Sequence, residues 1–436
     1  MKSLYILGLG VLGMTLGLGG CAKKSTEPAP DYTAKITGKI LRAEDSASIS
    51  SANVLLYDAN TNVSVNRMSS DGTGDFSFEV PAGDYYLVVA AQGRISFPPT
   101  GGKPLPFHAD SSRSYVRNVY LDKDTSVTNT GGISGKVVVS GSTHVDGILI
   151  IARRTDSAAF STTTGPDGFF ALYNVPPGTY QLKGYRDSLT QDTTTVQVTV
   201  KPDTLTTNVV INMSPSIGKT LLGKVTFLAS PNSTVDITLV DPLTREAIPG
   251  LNVRNDSANT FTMRGIPAGD YIAWASYRND GYVMDPDAIR KFGLPRVSFA
   301  AGDTAKTVNF SVTGAITLVG PTNAADTLYP VAVHTLTPVF SWLKYPSAKE
   351  YIVEVFDAKG KRIWGGFNSS GVILHPAILA AADSVRFNFD GSALSPLKAG
   401  GIYSWRVYAD NDAQANVQGL ISSSEDLRGL FQVVLP

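Results

Sequence analysis

The sequence predicts an all-β protein: tandem β-sandwich domains behind a cleaved leader. Three observations predict it. A two-part motif occurs three times. Its first part is a strand-like run carrying Gly-Lys: ITGKI at Gly38, ISGKV at Gly135 and LLGKV at Gly223. Its second part is an apolar residue, Pro, Ala or Pro, Gly, any residue and Tyr: VPAGDY (Val80 to Tyr85), VPPGTY (Val175 to Tyr180) and IPAGDY (Ile266 to Tyr271). The repeat recurs at roughly ninety residues, a whole-domain period rather than the 20–50 of a solenoid. Between the motifs lie short runs rich in Val, Ile, Tyr and Phe, several alternating apolar with polar residues as half-buried strands do. Finally, 41 Gly and 25 Pro among 436 residues supply the turns such a fold needs.

Composition narrows function as well. The chain has 37 basic and 37 acidic residues, so no net positive field exists to hold a phosphate backbone, and nucleic acid is not an expected partner. A single Cys excludes an intrachain disulfide framework and a Cys-based zinc cluster. Four His leave little for metal or acid–base chemistry, and a hydrophobic content of 43% argues against wholesale disorder.

The first element is residues 1–20. Lys2 supplies a positive start, Leu4 to Leu18 is an uncharged apolar run, and Gly19 and Gly20 follow. This is the layout of a secretory signal peptide, shorter than the ~20 residues of a spanning helix. The ending Leu18-Gly19-Gly20-Cys21 resembles the lipobox of bacterial lipoproteins. That resemblance implies cleavage before Cys21, a diacylglyceryl group on its thiol, an acylated amine and anchoring in a membrane. Several acyl chains anchor firmly where one is marginal. Ala22 rather than Asp after the Cys implies the outer membrane if the source is Gram-negative. Residues 21–34, small, polar and Pro-containing, read as an acylated tether.

Three domains follow, at 35–128, 129–215 and 216–314. The middle one shows the pattern best: ISGKVVV, GILIIAR, GFFALYN, TYQLKGYR, TVQVTV and NVVINM are strand-like, and SGSTHVDG, TTTGPDG and VPPG are turns. In the Pro-x-Gly-x-Tyr element, Pro fixes φ, Gly can take a positive φ, and Tyr opens the next strand. DGFFALYNVPPGTYQLKGY resembles the signature of carboxypeptidase regulatory-like domains, which are related to transthyretin-like and starch-binding-like sandwiches. DGTGDFSFEVPAGDYYLVVA is similar, and NTFTMRGIPAGDYIAWASY is a divergent version lacking Asp-Gly before its Phe. The resemblance implies spacers or binding modules rather than catalytic units.

The fourth domain, 315–436, differs. TPVFSW, AKEYIVEVFD and GIYSWRVYA are strong strands whose order resembles a fibronectin type III or immunoglobulin-like sandwich. The resemblance makes Trp342 and Trp405 core residues and puts Tyr403 at a tyrosine corner. HPAILAAAD (His375 to Asp383) reads as one short helix.

Catalytic motifs are missing. The histidines sit in FHAD (His108), THVD (His144), VHTL (His334) and LHPA (His375), none of them an H-E-x-x-H zinc motif, and no G-x-S-x-G elbow or phosphate-binding Gly loop occurs. The chain is therefore expected not to be an enzyme and to need no cofactor. Calcium is the candidate metal, through Asp280, Asp285 and Asp287 in RNDGYVMDPDA. Asp71 and Asp75 in SSDGTGDF are a second acidic loop, and Asp-Gly is also a common tight turn. Sugar-stacking candidates are Trp274, Tyr277 and Tyr282, although the strand that holds Trp274 favours a core place for it, and Trp364, which the polar stretch GKRIWGGFNSSG marks as the exposed aromatic. Two functions fit: a lipid-anchored, non-catalytic structural or adhesive module of the cell envelope, meeting other envelope proteins, or a surface glycan-binding lipoprotein capturing polysaccharide.

Overall fold

The computed structural model describes residues 33–435 except 60–62, 99–105, 125–128, 143–144, 157, 193–195, 229–232, 276–280, 324–329, 359, 375–377, 415 and 426–427. The leader, Cys21 and the tether through Tyr32 lie outside the described residues, as do Tyr277, Asp280, His144 and His375.

The first three domains repeat one topology. In each, an opening strand (Thr33–Arg42, Gly131–Val139, Lys219–Phe227) pairs antiparallel with the strand that runs into the Pro-x-Gly turn (Asp75–Pro81, Phe169–Val175, Thr260–Ile266). The opening strand also pairs in parallel with the closing one (Leu205–Pro215, Ala305–Gly314), which in the first domain is split into Ser114–Val116 and Val119–Leu121. The opposing sheet centres on Asn53–Asp58, Leu149–Arg153 or Asp236–Val240. Each of these lies beside the strand that leaves the turn (Gly83–Ala90, Gly178–Tyr185, Gly269–Ala275). All six strands expected in the second domain are present. Ala159–Thr163 and Leu189–Gln191 add to them, both too polar to stand out from their loops.

The motif residues now have mechanical roles. A Cβ on Gly135 or Gly223 would overlap the carbonyl oxygen of Val209 or Val308 on the closing strand, and one on Gly38 that of Arg117 at the break in the first domain's closing strand, so the repeated glycine marks where that segment presses closest. In the Pro-x-Gly-x-Tyr turns the tyrosine hydroxyl donates to the carbonyl of the first proline: Tyr85 to Pro81 at 2.8 Å, Tyr180 to Pro176 at 2.9 Å and Tyr271 to Pro267 at 3.0 Å. One of the three turns uses the freedom of its glycine to take a positive φ. Gly178 has φ 154°, but Gly83 and Gly269 do not take a positive φ. There a Cβ would stand 3.1 Å from the hydroxyl of Tyr85 or Tyr271, so the glycine makes room for the ring that folds back over it.

The fourth domain opposes a three-stranded sheet (Leu318–Gly320, Val339–Trp342, Ser384–Arg386) to a larger one centred on Glu350–Asp357 and Ile402–Asp410. Trp342 and Trp405 are buried in its core, and Phe340 packs 4.7 Å from the Trp405 ring. The Tyr403 hydroxyl accepts from the Lys398 N–H at 2.9 Å, a corner bond of the expected kind. The expected helix at His375–Asp383 is not formed in its described part. Ile378–Leu379 is a strand against Glu350 and Tyr351, because Ile378 fills the sandwich core instead of a helical face.

Adjacent domains are joined through side chains. Between the first two, Asn174 (φ 57°) accepts from the Gly93 N–H at 2.6 Å and donates to the carbonyls of Ala91 at 3.1 Å and Arg94 at 2.8 Å. The Arg67 guanidinium lies 4.2 Å from the Phe169 ring centre. Between the second and third, Arg153 pairs with buried Asp241, and Leu149, Ile151 and Tyr185 join the third domain's core. Between the third and fourth, Glu425 accepts from the Gly281 N–H at 2.7 Å, and the Thr313 and Tyr345 hydroxyls meet at 3.0 Å.

Candidate functional site

Strand periodicity creates a second set of faces, turned away from the sandwich cores. Along Gly269–Ala275, Tyr271, Ala273 and Ala275 enter the core, so Ile272 and Trp274 take the other face. Along Ile402–Asp410, Tyr403, Trp405, Val407 and Ala409 go inward, so Arg406 and Tyr408 point out. These outer faces of the third and fourth domains meet around a cavity of about 280 Å³. Trp274, Tyr282 and Arg290 line it from one side, and Phe367, Arg406, Tyr408 and Glu425 from the other.

Several of the lining side chains are held by neighbours. Tyr282 stands edge-on to Phe227, with ring centres 5.7 Å apart. Tyr408 is edge-on to Phe367 at 5.3 Å, and Arg406 donates to the Tyr408 hydroxyl at 3.2 Å. Arg406 sits opposite Glu354 on the neighbouring strand, and Arg362 reaches the same carboxylate at 3.6 Å. Burial pushes the Glu354 carboxyl pKa above its ordinary value, against the pull of Arg406 and Arg362.

Arg290 comes from the short helix Pro286–Phe292. Asp285 caps this helix by accepting from the N–H groups of Asp287 and Ala288, Pro286 opens it, Asp287 adds charge in the first turn, and Gly293 at φ 78° ends it. Arg290 donates from Nη2 to Asp287 at 3.1 Å, while its Nε is buried without a hydrogen-bond partner.

Sequence reasoning found two members of this group, Trp274 and Tyr282. Trp274 lies half-buried on the sheet's outer face rather than in the sandwich core. Arg290, Phe367, Arg406 and Tyr408 were missed. The alternation in GIYSWRVYA already separates Arg406 and Tyr408 from Trp405, but nothing in a single sequence says which outer face meets a neighbour.

The exposed role expected for Trp364 is corrected. Its side chain is 1% exposed and donates from Nε1 to Asp390 at 3.0 Å, with Phe340 and Phe387 against its ring. The polar residues around it misled, because Ile363 and Trp364 both turn inward from a short strand.

The acidic loops are structural in their described parts. Asp285 is the helix cap, and Asp287 pairs with Arg290 and with Lys291 at 2.5 Å. Asp71 accepts from the N–H groups of Thr73 and Asp75, and Asp75 pairs with Lys39 at 2.7 Å. Among the described residues no group of three or more His, Cys, Asp or Glu is arranged to hold a metal ion. Nδ1 of His108 faces Asp84 at 2.8 Å and Nε2 faces Asp110 at 3.5 Å, a surface clamp between two carboxylates. Among the described residues no helix is long and apolar enough to cross a membrane.

Residues 35–100 match the family model of the carboxypeptidase regulatory-like domain. Residues 129–208 match that of polysaccharide lyase family 4, domain II. The two domains share topology and the Pro-x-Gly-x-Tyr turn, yet match different models. No curated protein sequence matches the chain.

Solved structures similar to it include the Bacillus anthracis TIE protein, at 11% identity over 65% of this chain and 51% of that one, TM-score 0.18. The chain thus spans about half the length of that protein. The minor pilin of Streptococcus agalactiae is similar at 14% identity over 44% of this chain and 100% of that one, TM-score 0.20. Two B repeat units of the collagen-binding protein of Staphylococcus aureus are similar at 10% identity over 92% and 99%, TM-score 0.18.

Proposed function

We propose that the chain is a non-catalytic, lipid-anchored module of the cell envelope whose coupled sandwiches hold a surface at a set distance from the membrane. One observation carries the structural half of this reading. Every domain boundary is closed by buried or charge-assisted side-chain contacts, through Asn174, through Arg153 and Asp241, and through Glu425. Domains on free linkers move relative to one another by default, and such contacts oppose that motion.

The anchoring half rests on the lipobox-like ending at Cys21. Its test is detergent phase partitioning of wild type and Cys21→Ala expressed in the native host. The reading expects wild type in the detergent phase and the variant in the aqueous phase or as uncleaved precursor. Identical partitioning and processing would remove the anchor.

A second reading, glycan capture, is favoured by one specific observation. The cavity between the third and fourth domains brings Trp274 and Tyr282 together with fixed arginines. Ring faces that stack on a sugar, beside a few oriented polar groups, are the usual composition of a small-ligand site. Glycan-array binding by the full chain, lost in Trp274→Ala with the fold intact, supports this reading. A clean negative leaves the structural one.

A further inference from the structure

We propose that the first three domains bear tension along the chain, because in each the opening and closing strands form a parallel pair that a pull on the two ends of the domain loads in shear. The inference rests on the anchored-module reading and adds to it a load, carried between the membrane and whatever the far domains hold.

Topology carries the argument. In the third domain the opening strand runs in parallel register with the closing one, from Thr220 beside Ala305 to Phe227 beside Val312, with no shift. At one end the Thr220 N–H donates to the Thr304 carbonyl at 3.0 Å, and at the other the Leu228 N–H donates to the Val312 carbonyl at 3.0 Å. Parallel strands share a direction. The chain therefore enters at Lys219, at one end of the pair, and leaves at Gly314, at the other. A pull on those points drives the strands past each other and loads the evenly spaced hydrogen bonds between them together. Antiparallel terminal strands would have both chain ends on one side and would open bond by bond.

The second domain pairs Leu205 with Gly132 through to Met213 with Val139, with one register shift between Thr206 and Val209. In the first domain the pairing is interrupted between Val116 and Val119. The closing strand of the second domain ends at Pro215 and the opening strand of the third begins at Lys219, so load passes from one pair to the next through residues 216–218.

The repeated glycine adds a stop against sliding. The Val308 carbonyl lies over Gly223, where any Cβ would collide. Leu222 and Lys224 on either side carry a Cβ, so a slip of the closing strand by one step drives that carbonyl into a side chain. The Val209 carbonyl is caught in the same way over Gly135, between Ser134 and Lys136. Side chains of the closing segment also reach across: Asn309 accepts from the Lys224 N–H at 2.9 Å, and Asn118 from the Lys39 N–H at 2.9 Å.

Forced unfolding reads the barrier along the direction of pull, so one domain pulled two ways tests the claim at constant thermodynamic stability. The third domain is the choice, because its pairing is unbroken. The full chain carries Cys21→Ala to remove its only thiol, and pairs of introduced cysteines take the handles of an optical trap at one loading rate. Ile217→Cys with Thr317→Cys pulls the domain from opposite ends of the strand pair. Ile217→Cys with Gly302→Cys pulls it from the same end and peels the closing strand away. These positions are exposed, and a Cβ at Gly302 meets nothing. The expected unfolding force is about twofold or more higher in shear than in peeling, since shear loads the whole pair and peeling one bond at a time. Should Thr317→Cys unsettle the fourth domain, a tag after Pro436 keeps the same direction of load. Equal forces in the two geometries, or a higher force in peeling, overturn load bearing. The chain then remains a spacer, and detergent partitioning still decides its anchor.

Discussion

Arg153 of the second domain and Asp241 of the third form an ion pair across the domain boundary with unequal burial: the Asp241 side chain is 1% exposed and that of Arg153 29%. Asp241 also closes its own turn, accepting from the N–H groups of Leu243 and Thr244 at 2.9 Å. The asymmetry predicts unequal mutants. Arg153→Ala strands a carboxylate that water cannot reach and should cost about 3 kcal/mol. Asp241→Asn keeps the turn and leaves an arginine able to swing into solvent, so it should cost nearer ~1 kcal/mol. Denaturant unfolding followed by circular dichroism measures both. Equal losses would mean that the pair does not hold the junction.

At the first boundary Asn174 is both a left-handed residue and a three-way hydrogen-bonding group. Asn174→Gly keeps the backbone conformation and loses the bonds, which should cost about 1–2 kcal/mol. Asn174→Asp should cost more, because a carboxylate would face the carbonyls of Ala91 and Arg94 where an amide now donates. Limited proteolysis within residues 91–98 reports the release of that loop. A cleavage rate unchanged in Asn174→Asp would remove Asn174 from the junction.

The glycines of the repeated Gly-Lys motif show how far the sequence could be read. Their recurrence announced three like domains, and alternation placed most strands. Their cause, a carbonyl of the closing strand pressing onto the opening one, is a contact between segments about eighty residues apart, and local pattern is blind to it. The same limit hid Arg290 and Arg406, which reach one cavity from different domains. It also inverted Trp364, where polar neighbours masked an inward-facing side chain. Asp285 was legible as chemistry but not as position, since Asp-Pro-Asp is as good a helix start as a calcium loop until the helix is seen.

If Gly135 is required for strand approach, Gly135→Ala should be poorly tolerated although alanine suits a strand at least as well. The added methyl meets the Val209 carbonyl, and neither backbone can shift without opening the parallel pairing. A loss of about 1–3 kcal/mol is expected, typical of overpacking. Gly141→Ala is the control: a Cβ there meets nothing, and only its φ of 69° opposes the change. A smaller loss in Gly135→Ala than in the control would contradict the close-approach role.

Trp364 should behave as a core residue. Trp364→Ala removes a ring packed on Phe340 and Phe387 and leaves Asp390 without its indole donor, so a loss of about 3–5 kcal/mol is expected. Melting of the fourth domain, read by the fluorescence of Trp342 and Trp405, measures it. Sugar binding at the cavity should survive in whatever fraction remains folded. A stable Trp364→Ala protein would return this tryptophan to the surface.

Glu350 makes the fourth domain sensitive to pH. It stands opposite Asp410 on the central strand pair, both side chains are buried, and its Oε1 has no hydrogen-bond partner. Burial, then the charges of Asp410 and Asp412, raise its pKa to about 7 from an ordinary 4.5, while a backbone N–H at Gln414 pulls the other way. Burial raises the Asp410 carboxyl as well, opposed by the N–H groups of Asp412, Gly419 and Gln418. The folded state therefore holds a proton on Glu350 that the unfolded chain has released, so stability falls as pH rises from about 4.5 to 7 and flattens above it. Thermal melts of the fourth domain between pH 5 and pH 8 should show a falling midpoint. Glu350→Gln, neutral throughout, should flatten that slope and exceed wild type at pH 8. A midpoint that instead climbs over this interval would mean that the carboxyl is ionised in the folded protein and has a counter-charge.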